Sequence, residues 1–411
     1  MARRDALPKP IAKAFARTQG SWRELAQAIP DIYSHDFWIW ANRYGLFAAP
    51  ELRSVLAPFP AALPIIGSID ASEREFASSG ARYYDHMEQV LLKHGRSWGD
   101  MRAVLDFGCG VGRVARLFAR FRRQQTFYGF DLIESAIEWL TWELGYGDFR
   151  VSAARPPLPL AGGSLDAIFS ISVFSHLTAD AQAAWLREFH RLLRPGGILF
   201  QTVHGQHAMA LCEHYDTWRN SLYIAPESFV DLREGFARSG FAWVPHTINM
   251  TGSEEYGISF QSDRYIRDTW GDEYDLLGIW PGRIEGWQDL VALRKRGAPV
   301  LRKQHEPVSP VRPTGGLKPV ERVELVRDAA DAAVGRPLHF RVTFSGGEDV
   351  HFRYLVKEGG CNYAPIGEWT STPEFSFTPW MRNEYLFIVH AASGPGPHAV
   401  PSAQHGLLVS V

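Results

Sequence analysis

Residues 103–114 read Ala-Val-Leu-Asp-Phe-Gly-Cys-Gly-Val-Gly-Arg-Val, an apolar run that passes through Asp106 into a turn with glycines at 108, 110 and 112. A short apolar run ending on glycine reads as a buried strand. Glycines at alternate positions remove the Cβ atoms that would hold a ligand off the main chain, and they permit positive φ angles that other residues avoid. The segment therefore predicts a strand running into a tight turn whose backbone can lie against a nucleoside. A lone GxGxxG loop would suggest a dinucleotide, but here the spacing is GxGxG and a carboxylate stands just before the first glycine.

Three further segments follow in order. Phe127-Tyr-Gly-Phe-Asp131 is an apolar run ending on a carboxylate, about 20 residues past the glycines, where a doubly wound sheet binds a ribose hydroxyl pair. Ser164–Leu177 reads as a fourth strand with its following loop, and Leu192–Phe200 as a helix end turning into a fifth strand. Helical patterns over Val114–Phe121, Ser135–Trp142 and Ala181–Leu193 alternate with these runs, which argues for a parallel sheet built from right-handed crossovers. Phe241–Val244, Tyr256–Phe260 and Trp287–Leu293 read as later strands, the last two expected to pair as a reversed final hairpin.

Over roughly residues 80–295 this succession resembles the class I S-adenosylmethionine-dependent methyltransferases, with their first motif at Asp106–Gly112. The resemblance implies an α/β, Rossmann-like seven-stranded sheet with S-adenosylmethionine as cofactor. Carried over residue by residue, it places the cofactor against Asp106, Gly108, Cys109, Gly110 and Gly112, with Asp131 and Leu132 at the ribose. Ser172, at the end of the fourth strand, is also expected near the cofactor. The third-strand segment Phe149–Arg155 lacks the acidic residue often found beside the adenine amino group, so Ser152 or a backbone carbonyl near Ala153 stands in for it. A helix over Ala81–Leu92 is expected to cover the methionine end through Tyr84, or through its neighbours Tyr83 and His86.

Methyl transfer from a sulfonium is a one-step displacement, so the protein must align the reactants, exclude water and accept a proton from a hydroxyl nucleophile. No metal is required. His176, after the fourth strand, is the first candidate for the base and His204, after the fifth, the second, because imidazole titrates near neutrality and both stand at the strand ends where open α/β sheets bind ligands. Either could instead orient the acceptor. Tyr215, Trp218, Tyr223 and Phe229 offer aromatic surface for an acceptor, with ordinary core an equally good reading. Ser-Val-Phe-Ser at 172–175 replaces the Asn/Asp-Pro-Pro-Tyr tetrad of enzymes that methylate planar amines. The reading is therefore O-methylation of a sugar or other small hydroxyl compound. N- or carboxyl-methylation of a small metabolite, or a non-catalytic cofactor-binding assembly protein, stay open beside it.

With 43 basic and 45 acidic residues the formal charge is −2, which supplies no general field for nucleic acid. The three scattered cysteines form neither a disulfide framework nor a zinc spacing, and no apolar run reads as a signal or membrane span, so a cytoplasmic chain is expected. Residues 1–80 read as a helical N-terminal cap with helical patches at Ile11–Leu25 and Phe37–Leu56, 81–296 as the methyltransferase domain, and 297–319, with five prolines, as a linker. Residues 320–411 carry period-2 runs at Leu338–Phe344, Val350–Val356, Phe375–Phe377 and Tyr385–Val389 between Gly- and Pro-containing turns. They read as an all-β sandwich similar to small immunoglobulin-like modules, which could bind carbohydrate or form a homo-oligomer.

Overall fold

The computed structural model describes residues 73–246, 253–297 and, with gaps, 317–411, together with Trp38, Ile39 and Asn42. Apart from those three residues, the expected cap helices lie outside the described residues, as does most of the linker. The first helix, α1 (Glu73–Lys93), begins well before Ala81 and so runs through the expected division at residue 80. It is followed by β1 (Ala103–Phe107), a 3-10 segment over Ala115–Phe121, β2 (Thr126–Asp131), α2 (Glu134–Glu143), β3 (Asp148–Val151), β4 (Leu165–Ser170), α3 (Ala179–Leu192) and β5 (Leu193–Val203). An excursion then holds α4 (Gln206–His214), α5 (Asp216–Ser221), α6 (Pro226–Ser239), β6 (Phe241–Pro245) and β7 (Gly257–Gln261), before α7 (Asp263–Trp270), β8 (Tyr274–Ile284) and β9 (Gln288–Lys295).

Seven strands form one sheet in the order β3-β2-β1-β4-β5-β9-β8, with β1 to β5 parallel and β9 antiparallel to both neighbours. The order reverses between β1 and β4, and a crevice for ligands opens at such a switch point. Every residue of β1 is buried, as a central strand covered on both faces requires. One face packs Trp98, Phe118, Phe169 and Phe200 under α1, and the other packs Phe107, Phe130, Trp185 and Phe189. The second layer follows from the sequence of α3. Thr178 caps it by accepting the Ala181 N–H at 3.2 Å, and Ala181, Trp185, Phe189 and Leu192 recur at the spacing of one buried stripe.

One strand pairing differs from expectation. The run at Tyr256–Phe260 pairs with Phe241–Pro245 in a separate two-stranded sheet, and the final hairpin is β8 with β9. Gly278, Pro281 and Gly282 interrupt the alternation of β8, and its register shifts at Leu276/Gly278 and Trp280/Ile284, so the strand lacks a period to read.

The C-terminal segment holds β10 (Val320–Arg327), β11 (Leu338–Gly346), β12 (Val350–Glu358), β13 (Tyr363–Pro365), β14 (Glu374–Phe377), β15 (Glu384–Ser393) and β16 (Ala403–Ser410). They form a three-stranded sheet, β10-β11-β14, facing a four-stranded one, β13-β12-β15-β16. Phe340, Tyr354, Phe375 and Phe387 fill the space between, with ring centroids 4.3–4.6 Å apart in successive pairs. Among the described residues no helix is long and apolar enough to cross a membrane.

Candidate functional site

The three glycines of the first turn all have positive φ, 76° at Gly108, 52° at Gly110 and 77° at Gly112, but they serve different neighbours. A Cβ on Gly108 would run into Val173, beyond β4, and one on Gly112 would run into Leu140 of α2. These two glycines let the sheet and helix close together. A Cβ on Gly110 would meet nothing within 4 Å among the described residues, so the bare backbone there is open to them. Beside it, the Asp131 carboxylate accepts the Gly110 N–H at 2.7 Å and the Ile133 N–H at 3.0 Å, and Leu132 N–H also points to it. Burial raises this carboxyl from its ordinary value while those amides pull it back. Burial, and secondly the charge of Asp131, raises Asp106 well above the usual carboxylate range. An open backbone cradle walled by a carboxylate suits a nucleoside with a ribose diol. Ser152 is fixed at the same edge, its N–H donating to the Asp131 carbonyl at 2.8 Å.

The side chains of two expected cofactor residues lie in the core. The Cys109 side chain is buried in the core beneath the turn, beside Gly129, because its own N–H bonds back to the Phe130 carbonyl and turns the residue inward. Burial pushes its thiol well above its ordinary value, so only its backbone lines the turn. Tyr84 is fully buried with its ring 5.3 Å from Phe118 and 6.0 Å from Trp98, which makes it part of the core under α1. Its neighbour Tyr83 donates its hydroxyl to Glu285, which also lies 3.8 Å from Arg113 of the glycine turn.

A cluster of histidines and aromatic rings stands at the carboxyl ends of β4 and β5. β7 is laid across this edge by backbone bonds, Gly257 N–H to His176 O, Ser259 N–H to Ser175 O and Gln261 N–H to His204 O, each 2.8 Å. His176 Nδ1 lies 2.8 Å from the Gly257 carbonyl, and its ring stacks on Tyr256 at 4.8 Å. A carbonyl only accepts, so Nδ1 carries the proton and Nε2 keeps its lone pair. His204 is held the same way by the Ser259 carbonyl at 3.1 Å and stacks on Trp287 at 4.9 Å. Its Nε2 is buried with no hydrogen-bond partner among the described residues. The two rings are 6.3 Å apart, with His246 6.2 Å from His176.

Of the expected acceptor residues, Trp218 joins the cluster 5.9 Å from Trp287, and exposed Tyr223 lies 5.8 Å from His246. Among the described residues Tyr215 has a ring contact with His214, and Phe229 is a core residue of α6. Ser172 has φ 57°, held by its N–H to Thr202 Oγ1 at 2.7 Å and by Gln288 at its hydroxyl, so it shapes the exit of β4. Ser172, Tyr223 and Glu285 are three of the four non-glycine residues with positive φ among those described, and all three border this edge. Backbone strain of this kind collects at functional sites. Tyr256, Trp287 and Glu285 were not legible as site residues. The turn signal Pro281-Gly-Arg-Ile-Glu-Gly286 could have found the latter two, because a hairpin there returns them to the end of β5.

Burial pushes His176 and His390 down to about 4, His204 to about 3 and His207 well below its ordinary value. An unfolded chain protonates these rings near 6.5 while the folded chain does not, so stability is expected to fall as the pH drops from about 6.5 toward 4. Tm measured across that window tests this. A level Tm would contradict the burial of the four neutral imidazoles.

Residues 105–201 match the family model described as a methyltransferase domain. The chain is similar to malonyl-[acyl-carrier protein] O-methyltransferase of Hahella chejuensis, 28% identical over 159 residues that cover 37% of this chain and 56% of that protein. It is also similar to the tRNA N(3)-cytidine methyltransferase METTL2 of Mus musculus, 26% identical over 35% of each chain. The chain thus spans from about a third to just over half of these relatives' lengths. Among solved structures, a methyltransferase from Methanosarcina mazei aligns with 50% of this chain and 98% of its own, at 16% identity and a TM-score of 0.38.

Proposed function

We propose that this chain, which carries an S-adenosylmethionine-dependent methyltransferase domain, methylates a hydroxyl of a small acceptor seated on the histidine-aromatic cluster. The observation that carries the reading is His176. Its Nδ1 is committed to the Gly257 carbonyl, and its Nε2 lone pair stands at the same sheet edge as the open face of Gly110 and the Asp131 carboxylate. The Gly108–Gly112 backbone and Asp131 would hold S-adenosylmethionine, which when bound supplies an electrophilic methyl group on a sulfonium. His176 takes the hydroxyl proton at Nε2, and its depressed basicity keeps that atom unprotonated through neutral pH.

Trp218, Tyr223, Tyr256 and Trp287 present flat apolar faces suited to a sugar or another ring-bearing acceptor. The chemistry of the first relative's name, O-methylation, supports oxygen as the nucleophile, and the formal charge of −2 weighs against nucleic acid. The three-plus-four sheet arrangement of the C-terminal segment supports an immunoglobulin-like sandwich. The test is a panel of sugars, phenols, amines and carboxylic acids offered with methyl-labelled cofactor. Label is expected on hydroxyl compounds alone. Transfer only to amines or carboxylates would overturn the reading.

A further inference from the structure

The turn joining β8 to β9 carries two residues of the candidate site, Glu285 toward Tyr83 and Arg113, and Trp287 against His204. Little within the turn itself fixes it, since Gly282, Glu285 and Gly286 have φ of 56°, 54° and 82°. Beside the Glu285 contacts, three hydrogen bonds reach its two glycines from outside. The Gly282 N–H donates to Asp289 Oδ1 at 2.7 Å, the Gly286 carbonyl lies 3.0 Å from His207 Nε2 of α4, and the Gly282 carbonyl accepts Arg353 Nη2 at 2.6 Å. Arg353 belongs to β12, in the C-terminal sandwich.

The pattern of β12 shows why an arginine is placed there. Phe352, Tyr354 and Val356 point into the sandwich core, so Arg353 and Leu355 occupy the opposite face. An outward face would ordinarily be wet, yet Arg353 is 3% exposed and Leu355 1%. The turn lies against both of them, with His207 and His390 also beside Arg353. A Cβ on Gly286 would touch Leu355 at 3.5 Å, and one on Gly282 would meet Arg353 Nη1 at 2.5 Å and His207 at 2.8 Å. A buried guanidinium donating to one carbonyl of a glycine turn is a strong and directional tie, because charge-assisted hydrogen bonds in a dry site exceed neutral ones.

We infer that Arg353 is a positioning residue for the acceptor site: the C-terminal sandwich sets the Gly282–Gly286 turn and through it the place of Trp287 against His204. The inference rests on the acceptor reading above for its effect on activity, but not for the bracing itself. A misplaced Trp287 would leave the glycine cradle and Asp131 untouched, so the loss should fall on the acceptor.

The full chain carrying Arg353→Met is expected to lose about tenfold in kcat/KM for the acceptor while KM for S-adenosylmethionine stays within about twofold. Arg353→Lys, which keeps one charged donor, should recover part of the loss. Arg341→Met, which removes an exposed charge from β11 of the same sandwich, should change neither. A folded Arg353→Met chain with the parent's acceptor kinetics would overturn the inference. Hydrogen exchange on the unaltered chain in graded urea decides the matter even if these variants fail to fold or no acceptor is found. Amides 282–288 should lose protection together with β12. Protection that persists until β9 opens would overturn the inference independently of any activity.

Discussion

Valine in place of Gly110 is expected to weaken S-adenosylmethionine binding by at least about a hundredfold while leaving a folded chain. Two effects are distinct. The residue sits at φ 52°, a region that costs an L-amino acid on the order of 1–2 kcal/mol and a β-branched one more. Its Cβ would project into space that the described residues leave empty to 4 Å, so the new methyl groups occupy the place a ligand would take rather than clashing with them. A hundredfold corresponds to about 2.7 kcal/mol, which falls on the ligand contact alone, while the strain lowers the stability of the free and bound chain alike. Titration calorimetry with the demethylated product checks it, and near-parental affinity would show that the cradle does not face the ligand. The same change at Gly112 should act differently, destabilising the chain itself, because there the side chain meets Leu140.

Alanine in place of His176 is expected to lower kcat by roughly 10²–10⁴ with cofactor affinity unchanged, the usual range for removing a general base. The parent's kcat/KM should rise with pH through about 4, where His176 loses its proton, and then stay level through neutrality. Alanine at His204 should cost less, since its Nε2 is buried behind Trp287 and Phe260. Equal losses at both positions, or a rate still climbing above pH 7, would move the base elsewhere.

The sheet was legible because its signals are local. Asp106–Gly112, Asp131 and the Leu192–Phe200 turn each carry backbone requirements that only a few residue types meet, and together they set β1, β2, β4 and β5 in order. What was not legible depends on long-range pairing. β7 has a good strand composition, but it pairs with β6 and lies across His176 through long-range bonds, and Gly257 is required because a Cβ would strike Val244 O and the Trp243 ring. No period in the sequence encodes that choice.

The same division runs through the site. Gly110, Asp131, His176 and His204 were proposed from motif and strand-end position and stand at the carboxyl edge of the sheet, whereas the Cys109 and Tyr84 side chains lie in the core because side-chain direction depends on packing that spacing does not record. Arg353 and Leu355 show the reverse case. Buried residues on both parities of β12 signal a strand covered on two faces, yet only the fold reveals that the β8-β9 turn lies against the second face.

The central claim is that a nucleoside sulfonium lies between the Gly110 backbone and the Asp131 carboxylate. Calorimetry of the full chain with S-adenosylhomocysteine, run beside its Asp131→Ala variant, tests it most directly. A saturable one-site isotherm for the parent, weakened at least about tenfold by loss of the charge-assisted bonds to the ribose, is the predicted result. No heat with the parent, or equal affinity in the variant, would contradict it.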